Sequence, residues 1–209
     1  MKLRRRLLWL VVGMVLVGAG SSYASLIPGV TASTNMLWTN STSVTNIVNG
    51  SGLSGNVPSL SGVHTYPNAG NVWASGYKYG NVTFDLHGEY FVESMSVWQF
   101  NGDNTIGMRD VGWLASTDGI NFAPVSGAPT LFAQGPWVSP VGVQVFDFPA
   151  VQATHLRMNV LNNYGHASSS GLAEIQFDGS PVPEPATLAM VGLGGVAFLR
   201  RRREGRRLA

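Results

Sequence analysis

The stretch Asn81–Leu86, which reads Asn-Val-Thr-Phe-Asp-Leu, decides the fold class because apolar and polar residues alternate along it without a break. Val82, Phe84 and Leu86 fall on one face of an extended chain, and the polar side chains fall on the other. This period of two predicts a β-strand with one face buried in a core.

Similar segments lie on the C-terminal side of this strand. Phe91, Met95 and Val97 indicate a second strand, although the alternation there is imperfect. The others are Gly107–Ser116 with Val111, Trp113 and Ala115 on one face, Val143–Phe148, Thr154–Leu161 with Leu156, Met158 and Val160 inward, and Gly171–Phe177. Ser116–Gly119 reads Ser-Thr-Asp-Gly, a turn sequence whose glycine tolerates positive φ. No helical periodicity stands out between residues 26 and 180. Short strands separated by turns predict an all-β fold, an antiparallel β-sandwich or jelly roll.

The charges of the chain separate its ends from its middle. Of 13 Lys and Arg, ten lie in Lys2–Arg6 and Arg200–Arg207. Residues 25–182 hold three basic and nine acidic residues, a formal charge of −6. Without a basic stripe this segment cannot neutralise a run of phosphates, so the charge pattern argues against nucleic acid as a partner. Cysteine is absent, which excludes disulfides, thiolate metal sites and a cysteine nucleophile.

The N-terminus is predicted to be a signal peptide, residues 1–24, with a short apolar helix. A basic start is followed by the apolar run Leu7–Ala19. Small residues at Ser22 and Ala24 fit a signal-peptidase site with cleavage after Ala24. The alternative is a retained signal anchor, but the run is short for a membrane span of about 20 residues.

The C-terminus is predicted to hold a short transmembrane helix at residues 186–199. These 14 residues would form a helix about 21 Å long, against about 30 Å for a hydrocarbon core. Basic residues that follow a span stay on the cytoplasmic side, which places residues 200–209 in the cytoplasm. Both basic ends then face inward and the acidic middle faces outward, so the membrane is a partner before processing.

Residues 181–209 resemble a PEP-CTERM sorting tail. The resemblance rests on Val182, Pro183, Glu184 and Pro185, on the short Gly-rich apolar segment after them, and on the basic cluster Arg200, Arg201, Arg202 and Arg203. The two prolines favour an extended backbone that a processing enzyme can read. The resemblance implies recognition by an exosortase, a membrane-embedded processing enzyme, in a Gram-negative bacterium that makes exopolysaccharide. An ordinary tail anchor is the alternative.

Residues 25–180 resemble the discoidin, or coagulation factor 5/8 type C, family of galactose-binding-like domains. The matching segments, in order, are Ile47–Leu53, Val82–Leu86, Ser116–Phe122, His155–Val160 and Gly171–Phe177. The sequence departs from the family pattern at His155-Leu156, where the family prefers an aromatic–aliphatic pair, and at Asn49, where many members have Asp. The resemblance implies a β-sandwich that binds a ligand without catalysis. A sandwich of another family is the alternative.

The same resemblance implies a structural calcium ion where the early Asn-Gly loop meets the last strand. The candidate ligands are Asn49, Ser51 and Glu174, helped by backbone carbonyls. Calcium takes several hard oxygens, and a single certain carboxylate predicts weak binding. The alternative is that Asn49 only forms a turn and Glu174 only caps a loop.

A sugar site is expected among aromatic rings with amide or carboxylate neighbours, because rings stack on sugar C–H faces and polar groups bind hydroxyls. The candidates are Trp98, Asn101, Trp73 and Tyr164; Tyr77, Tyr79 and Trp137 also lie in Gly-, Ser-, Asn- or Pro-rich stretches. The competing interpretation is that such rings fill the core and cover its ends. Asn101–Asn104 is a second oxygen-rich turn, best explained by turn chemistry alone.

No catalytic residues are predicted, because the four histidines show no metalloprotease spacing and no nucleophile motif occurs. The leading hypothesis is an exported, noncatalytic binding module for an exopolysaccharide glycan, located in the outer envelope, at the cell surface or in the matrix. The alternatives are a structural matrix or biofilm protein without a specific ligand, and an uncharacterised glycan hydrolase.

Overall fold

The computed structural model describes residues 25–37 and 42–183. Ala24, Trp38, the sorting residues from Glu184 onward and both predicted apolar helices lie outside the described residues. The strands are β1 Ser25–Leu26, β2 Thr31–Thr34, β3 Val63–His64, β4 Trp73–Ala74, β5 Gly80–Gln99, β6 Val111–Ser116, β7 Ala123–Pro124, β8 Val141–Gly142, β9 Gln144–Val160 and β10 Gly171–Pro181. Val44–Ile47 and Ser54–Asn56 form short 3-10 helices. Within the described ranges, no helix has the length and apolar character to cross a membrane.

Two long antiparallel strands organise the sheet. The first half of β5, from Gly80 to Asp85, pairs with β2 and with the second half of β9. The second half of β5 pairs with β10 and with the first half of β9. The register shifts between Asp85 and Tyr90, and His87 at this point has a positive φ of 51°. The two halves of β5 therefore belong to different parts of the sheet.

Ring contacts show that these two parts face each other across a core. Phe84 lies in the first half of β5, whereas Phe177 lies in β10, which pairs only with the second half. Their ring centroids are 5.0 Å apart in an edge-to-face arrangement. Trp113 of β6 packs on both rings, each at 6.1 Å. The fold is thus a sandwich with an aromatic centre, which confirms the predicted fold class.

The predicted inward faces are confirmed for three segments. Buried side chains include Val82, Phe84 and Leu86 of β5, Val111, Trp113 and Ala115 of β6, and Leu156, Met158 and Val160 of β9. The Asp-Gly turn is also confirmed, since Gly119 has φ +72°. In Phe91–Val97 the side chains of Met95 and Val97 are buried, whereas that of Phe91 is exposed. Phe91–Val97 is also no separate strand, since it continues β5 through the register shift.

The backbone path gives the sandwich two distinct ends. The Ser170 hydroxyl donates to the carbonyl of Lys78, two residues before β5, and Leu172 pairs with Gln99 at the end of β5, so both termini of β5 lie at one end. We call this the loop end; it carries the loops of residues 62–71, 100–107, 133–140 and 162–170. The opposite end carries the register shift of β5 at residues 86–89 and the turn that follows β6 at residues 117–121.

The segment of residues 50–71 covers the outer face of β5 and β10. Trp98 and Ala173 point to this face and form a second apolar cluster with Leu53, Val72, Phe100 and Val141. The segment is held by side chains of β5: Ser96 donates to the Leu60 carbonyl at 2.7 Å, and the Trp98 indole donates to the Gly62 carbonyl at 3.1 Å. Both faces of β5 are therefore buried over residues 94–99.

Candidate functional site

The predicted sugar-binding aromatics do not form an exposed surface. Trp73 and Trp98 each have 0% exposure. Trp73 belongs to the main core, and Trp98 lies under the covering segment of residues 50–71. Tyr164 is half-buried, and its hydroxyl donates to the Phe132 carbonyl. The expectation that Trp73 and Trp98 present rings to a sugar is wrong, because both rings fill cores, as the competing interpretation held.

Asn101 is buried as well, but its position organises the loop end. Its side-chain amide donates to the carbonyl of Thr65 and to that of Ser139, both at 2.7 Å. The Ser139 N–H returns a bond to the Asn101 carbonyl at 3.4 Å. The amide oxygen Oδ1 is buried and has no hydrogen-bond partner among the described residues. One side chain thus joins three loops of the loop end.

Two exposed aromatic rings flank this junction. Tyr66, next to Thr65, is 62% exposed, and Trp137, two residues before Ser139, is 61% exposed. Because one amide nitrogen binds both Thr65 and Ser139, the two aromatic residues are carried on loops tied at a common point. Tyr66 was not identified from the sequence, and Trp137 was named only among the aromatic residues of Gly-, Ser-, Asn- or Pro-rich stretches. The signal that could have found both is an aromatic beside proline, Tyr66-Pro67 and Pro136-Trp137, in a Gly- and Asn-rich stretch.

The turn at Asn101–Asn104 uses its carboxylate for its own backbone. Asp103 accepts bonds from the N–H and the hydroxyl of Thr105, at 2.8 and 2.6 Å. The hydroxyl bond of Thr105 lowers the pKa of Asp103, against a smaller rise from burial. The Gln134 amide donates to the Asn104 carbonyl at 3.1 Å, which fastens the loop of Trp137 to this turn. The oxygens of the turn therefore stabilise the loop end, as turn chemistry predicts.

The predicted calcium ligands lie near one another, but their oxygens are largely occupied. Asn49 Oδ1 accepts from the Ser51 N–H at 2.8 Å, which makes the turn of the alternative interpretation. Glu174 Oε1 accepts from the Gly50 N–H at 3.0 Å and from the Gln176 amide. Glu174 Oε2 is buried without a partner among the described residues. Burial raises the pKa of Glu174 to about 8, although the bonds from Gly50 and Gln176 act in the opposite direction.

This donor set does not fit a calcium ion. Calcium takes six to eight oxygens, usually with more than one carboxylate. Here the loop and strand offer one free carboxylate oxygen, and N–H groups already bind the side-chain oxygens of Asn49 and one oxygen of Glu174. No group of three or more His, Asp or Glu side chains in residues 25–37 and 42–183 is arranged to hold a metal ion.

A polar cluster that sequence reasoning missed lies at the opposite end, on the outer face of β5 and β9. His87 Nδ1 and His155 Nε2 lie 3.6 and 3.7 Å from Asp85 Oδ2, and Thr31 Oγ1 lies 3.0 Å from His87 Nε2. The cluster borders a pocket of about 390 Å³ that also contains Arg157. Thr31, His87 and Asp85 thus follow the hydroxyl–imidazole–carboxylate order of an activated nucleophile. However, the 3.6 Å between His87 Nδ1 and Asp85 Oδ2 is longer than a hydrogen bond, and the His87 side chain is 53% exposed. The geometry therefore gives little activation of Thr31.

The first residues of the sorting segment lie on the folded domain. Pro181 ends β10 opposite Tyr90, and the Val182 N–H donates to the Glu89 carbonyl at 2.9 Å. Pro183 is the last described residue. Ala24, Glu184, Pro185 and Arg200–Arg203 lie outside the described residues, so their roles rest on the sequence.

Comparison with known proteins gives one sequence match and several structural ones. Residues 181–203 match the PEP-CTERM protein-sorting motif. No curated protein matches the sequence of the chain. The module CBM32-1 of a family 31 glycoside hydrolase from Clostridium perfringens superposes with a TM-score of 0.51 at 11% identity, covering 73% of this chain and 95% of that module.

Two further Clostridium perfringens structures are similar at lower scores. The module CpGH89CBM32-5, in complex with GalNAc-β-1,3-galactose, has 16% identity and a TM-score of 0.40 over 56% of this chain and 92% of that module. CpGH89, in complex with GlcNAc-α-1,4-galactose, has 22% identity and a TM-score of 0.49 over 76% of this chain. The chain spans only 15% of the length of that enzyme.

The sequence match and the structural match concern different parts of the chain. The PEP-CTERM motif indicates an exported protein that is sorted through the membrane by an exosortase. The described residues have the discoidin-like β-sandwich fold of the CBM32 modules, and that fold is followed directly by the sorting motif.

Proposed function

We propose that the sandwich is a noncatalytic module that binds a glycan at its loop end, and that the sorting tail delivers it to the exopolysaccharide outside the cell. The observation that carries this proposal is the pair of exposed rings, Tyr66 and Trp137, on loops tied together by Asn101. Flat aromatic faces bind the C–H faces of sugars, and neighbouring carbonyls and amides bind sugar hydroxyls.

Preorganisation supports a binding role for this face. Asn101 fixes two loops through two bonds, and Gln134 fixes the loop of Trp137 to the turn at Asn104. A loop held in its bound conformation loses less entropy when the ligand arrives, which favours affinity. The sandwich shares its fold with the discoidin-like, galactose-binding CBM32 domains, so galactose-containing glycans are the first class to test.

Sorting is proposed in two steps. Signal peptidase cleaves after Ala24, and an exosortase then reads Val182–Pro185 while the apolar helix and Arg200–Arg203 hold the tail at the inner membrane. The mature domain, acidic and free of the basic ends, remains in the outer envelope or in the biofilm matrix. We propose a Gram-negative producer, as the resemblance to PEP-CTERM sorting tails implies.

A panel experiment tests the function class. The processed protein, purified from the producing cells, is applied to immobilised galactans, glucans, uronic acid polymers and the cells' own exopolysaccharide. Saturable binding to one class supports the binding module. Cofractionation with the matrix without binding to any isolated polysaccharide supports a structural matrix protein. Release of reducing ends that His87→Ala abolishes supports a hydrolase built on the polar cluster of Asp85.

A further inference from the structure

His64 is completely buried, and its ring nitrogens face backbone carbonyls. Nε2 lies 2.9 Å from the Ser51 carbonyl and 2.8 Å from the Asn71 carbonyl. Nδ1 lies 3.1 Å from the Thr65 carbonyl. Carbonyls only accept hydrogen bonds, so the proton at Nε2 is shared between two segments of chain that are 20 residues apart.

The ring packs directly against the Asn-Gly loop. Gly52 has φ +93°, and a Cβ atom at this position would lie 2.4 Å from His64 Nε2. Only glycine therefore allows the loop to approach the ring this closely. The Asn71 side chain continues the junction, because its amide donates to the Tyr66 carbonyl at 3.0 Å.

Convergent carbonyls of separate loops are the arrangement that a structural calcium ion commonly holds together. Here the carbonyl of Ser51, a residue of the predicted calcium set, points at an imidazole N–H instead. At the strand side of the same loop, the Gln176 amide donates to the Val48 carbonyl at 3.0 Å and also to Glu174. N–H donors thus occupy both sides of the loop where the family resemblance placed the ion.

We propose that His64 replaces the calcium ion: its side chain closes the Asn49–Gly52 loop onto Asn71, so that this region folds without a metal. The replacement is possible because His64 lies in β3, within the same covering segment of residues 50–71 that contains Ser51 and Asn71. The proposal concerns the fold alone and does not require the domain to bind a glycan.

The junction also extends to the loop end. The Thr65 carbonyl accepts from the Asn101 amide, and Thr65 is the residue next to His64, so the His64 junction is joined to the point where the loops of Tyr66 and Trp137 meet. Loss of His64 should therefore loosen these loops as well as the Asn-Gly loop.

The test combines metal analysis of the processed protein with thermal unfolding. Native mass spectrometry of protein prepared in millimolar calcium should show no stoichiometric calcium, and neither calcium nor a chelator should shift the unfolding midpoint. His64→Ala should lower the midpoint by roughly 5 to 10 °C, since the buried Nε2–H that faces the carbonyls of Ser51 and Asn71 is lost together with a buried ring. His87→Ala, which removes a largely exposed ring, is the matched control and should change it little.

Two results would overturn the proposal. One is a bound calcium ion, together with a midpoint that rises with calcium and falls with chelator in the wild-type protein. The other is a His64→Ala variant as stable as His87→Ala. If His64→Ala does not accumulate, His64→Gln serves in its place, because its amide can still donate to two carbonyls; its midpoint should lie below wild type and remain insensitive to calcium.

Discussion

The backbone N–H of Val182 donates to the carbonyl of Glu89 at 2.9 Å, so the sorting motif begins while the chain is still bonded to the sandwich. Glu184 is two residues farther along the chain, at most about 7 Å away in an extended backbone. An exosortase that reads Val182–Pro185 therefore works at the edge of the folded domain, close to the register shift of β5.

Substitution of the motif should block processing without unfolding the domain. Glu184→Ala is expected to leave a precursor that keeps the C-terminal apolar segment and the basic end, because the enzyme loses the one charged residue of the motif. Intact mass and membrane fractionation measure this. Glu93→Ala, which changes an exposed glutamate of β5, should mature normally. Equal mature masses for the Glu184→Ala variant and the wild type would contradict the assignment.

Removal of the Asn101 side chain should destabilise the domain. Asn101→Ala deletes two buried bonds of 2.7 Å and leaves the carbonyls of Thr65 and Ser139 without their donor. We expect a loss of about 2 kcal/mol in the free energy of unfolding. Urea denaturation followed by tryptophan fluorescence measures it. An unchanged midpoint would show that the three loops are held together by other contacts.

The neutral form of Glu174 should give the domain a stability that declines with pH. Burial raises the pKa of Glu174 to about 8 in the folded protein, against an ordinary value near 4.5. The folded state then keeps a proton that the unfolded state releases between these values. The contribution is complete below about pH 4.5 and is lost as pH rises to about 8.

Glu174→Gln should remove this dependence, because glutamine keeps the acceptor for Gly50 and does not ionise. Urea denaturation from about pH 5 to about pH 8, with chelator present, should show wild-type stability falling toward the alkaline end by up to about 1.4 kcal/mol per pH unit relative to the variant. Parallel pH profiles for the two proteins would contradict the expectation.

Asp118 should stabilise the domain at neutral pH and lose this effect as the pH falls, the opposite of Glu174. It accepts from the N–H and the amide of Asn121, from the Ile120 N–H and from the Ser116 hydroxyl, and these bonds hold its pKa below the ordinary value of 3.8. The stabilisation is present above that value and is lost as pH falls. In acid denaturation below about pH 4, the free energy of unfolding should fall less steeply with decreasing pH in Asp118→Ala than in Asp147→Ala. Asp147 is an exposed residue of β9 and serves as the control. Identical acid profiles would contradict this.

The sequence predicts half-buried strands well because their period of two survives in the fold. Val82, Phe84 and Leu86 are inward for the reason that the alternation indicates. The second half of β5 is different: residues 94–99 are all buried, since the core covers one face and residues 50–71 cover the other. A strand buried on both faces shows no alternation, so a tryptophan in it cannot be assigned to core or surface from pattern alone.

The same covering segment explains why the site residues were harder to predict. Trp98 and Asn101 are candidates for a sugar site by sequence, but their side chains are buried through long-range hydrogen bonds to the carbonyls of Gly62 and Thr65. The exposed rings of Tyr66 and Trp137 lie in loops, where no period distinguishes a surface ring from a core ring. The calcium ligands were predicted from a family pattern. His64, whose ring contacts the Ser51 carbonyl, lies 13 residues after Ser51 and outside that pattern.

The most direct test of the account is the binding isotherm of the processed protein on the exopolysaccharide of its producing cells. We expect saturable binding that Trp137→Ala weakens at least about tenfold, since loss of one stacked ring costs roughly 1.4 kcal/mol or more. Ile120→Ala, which shortens an apolar side chain that is 80% exposed at the opposite end, should bind like the wild type. Saturable binding that is equally strong in all three proteins, or no binding by the wild type, would contradict a glycan site at the loop end.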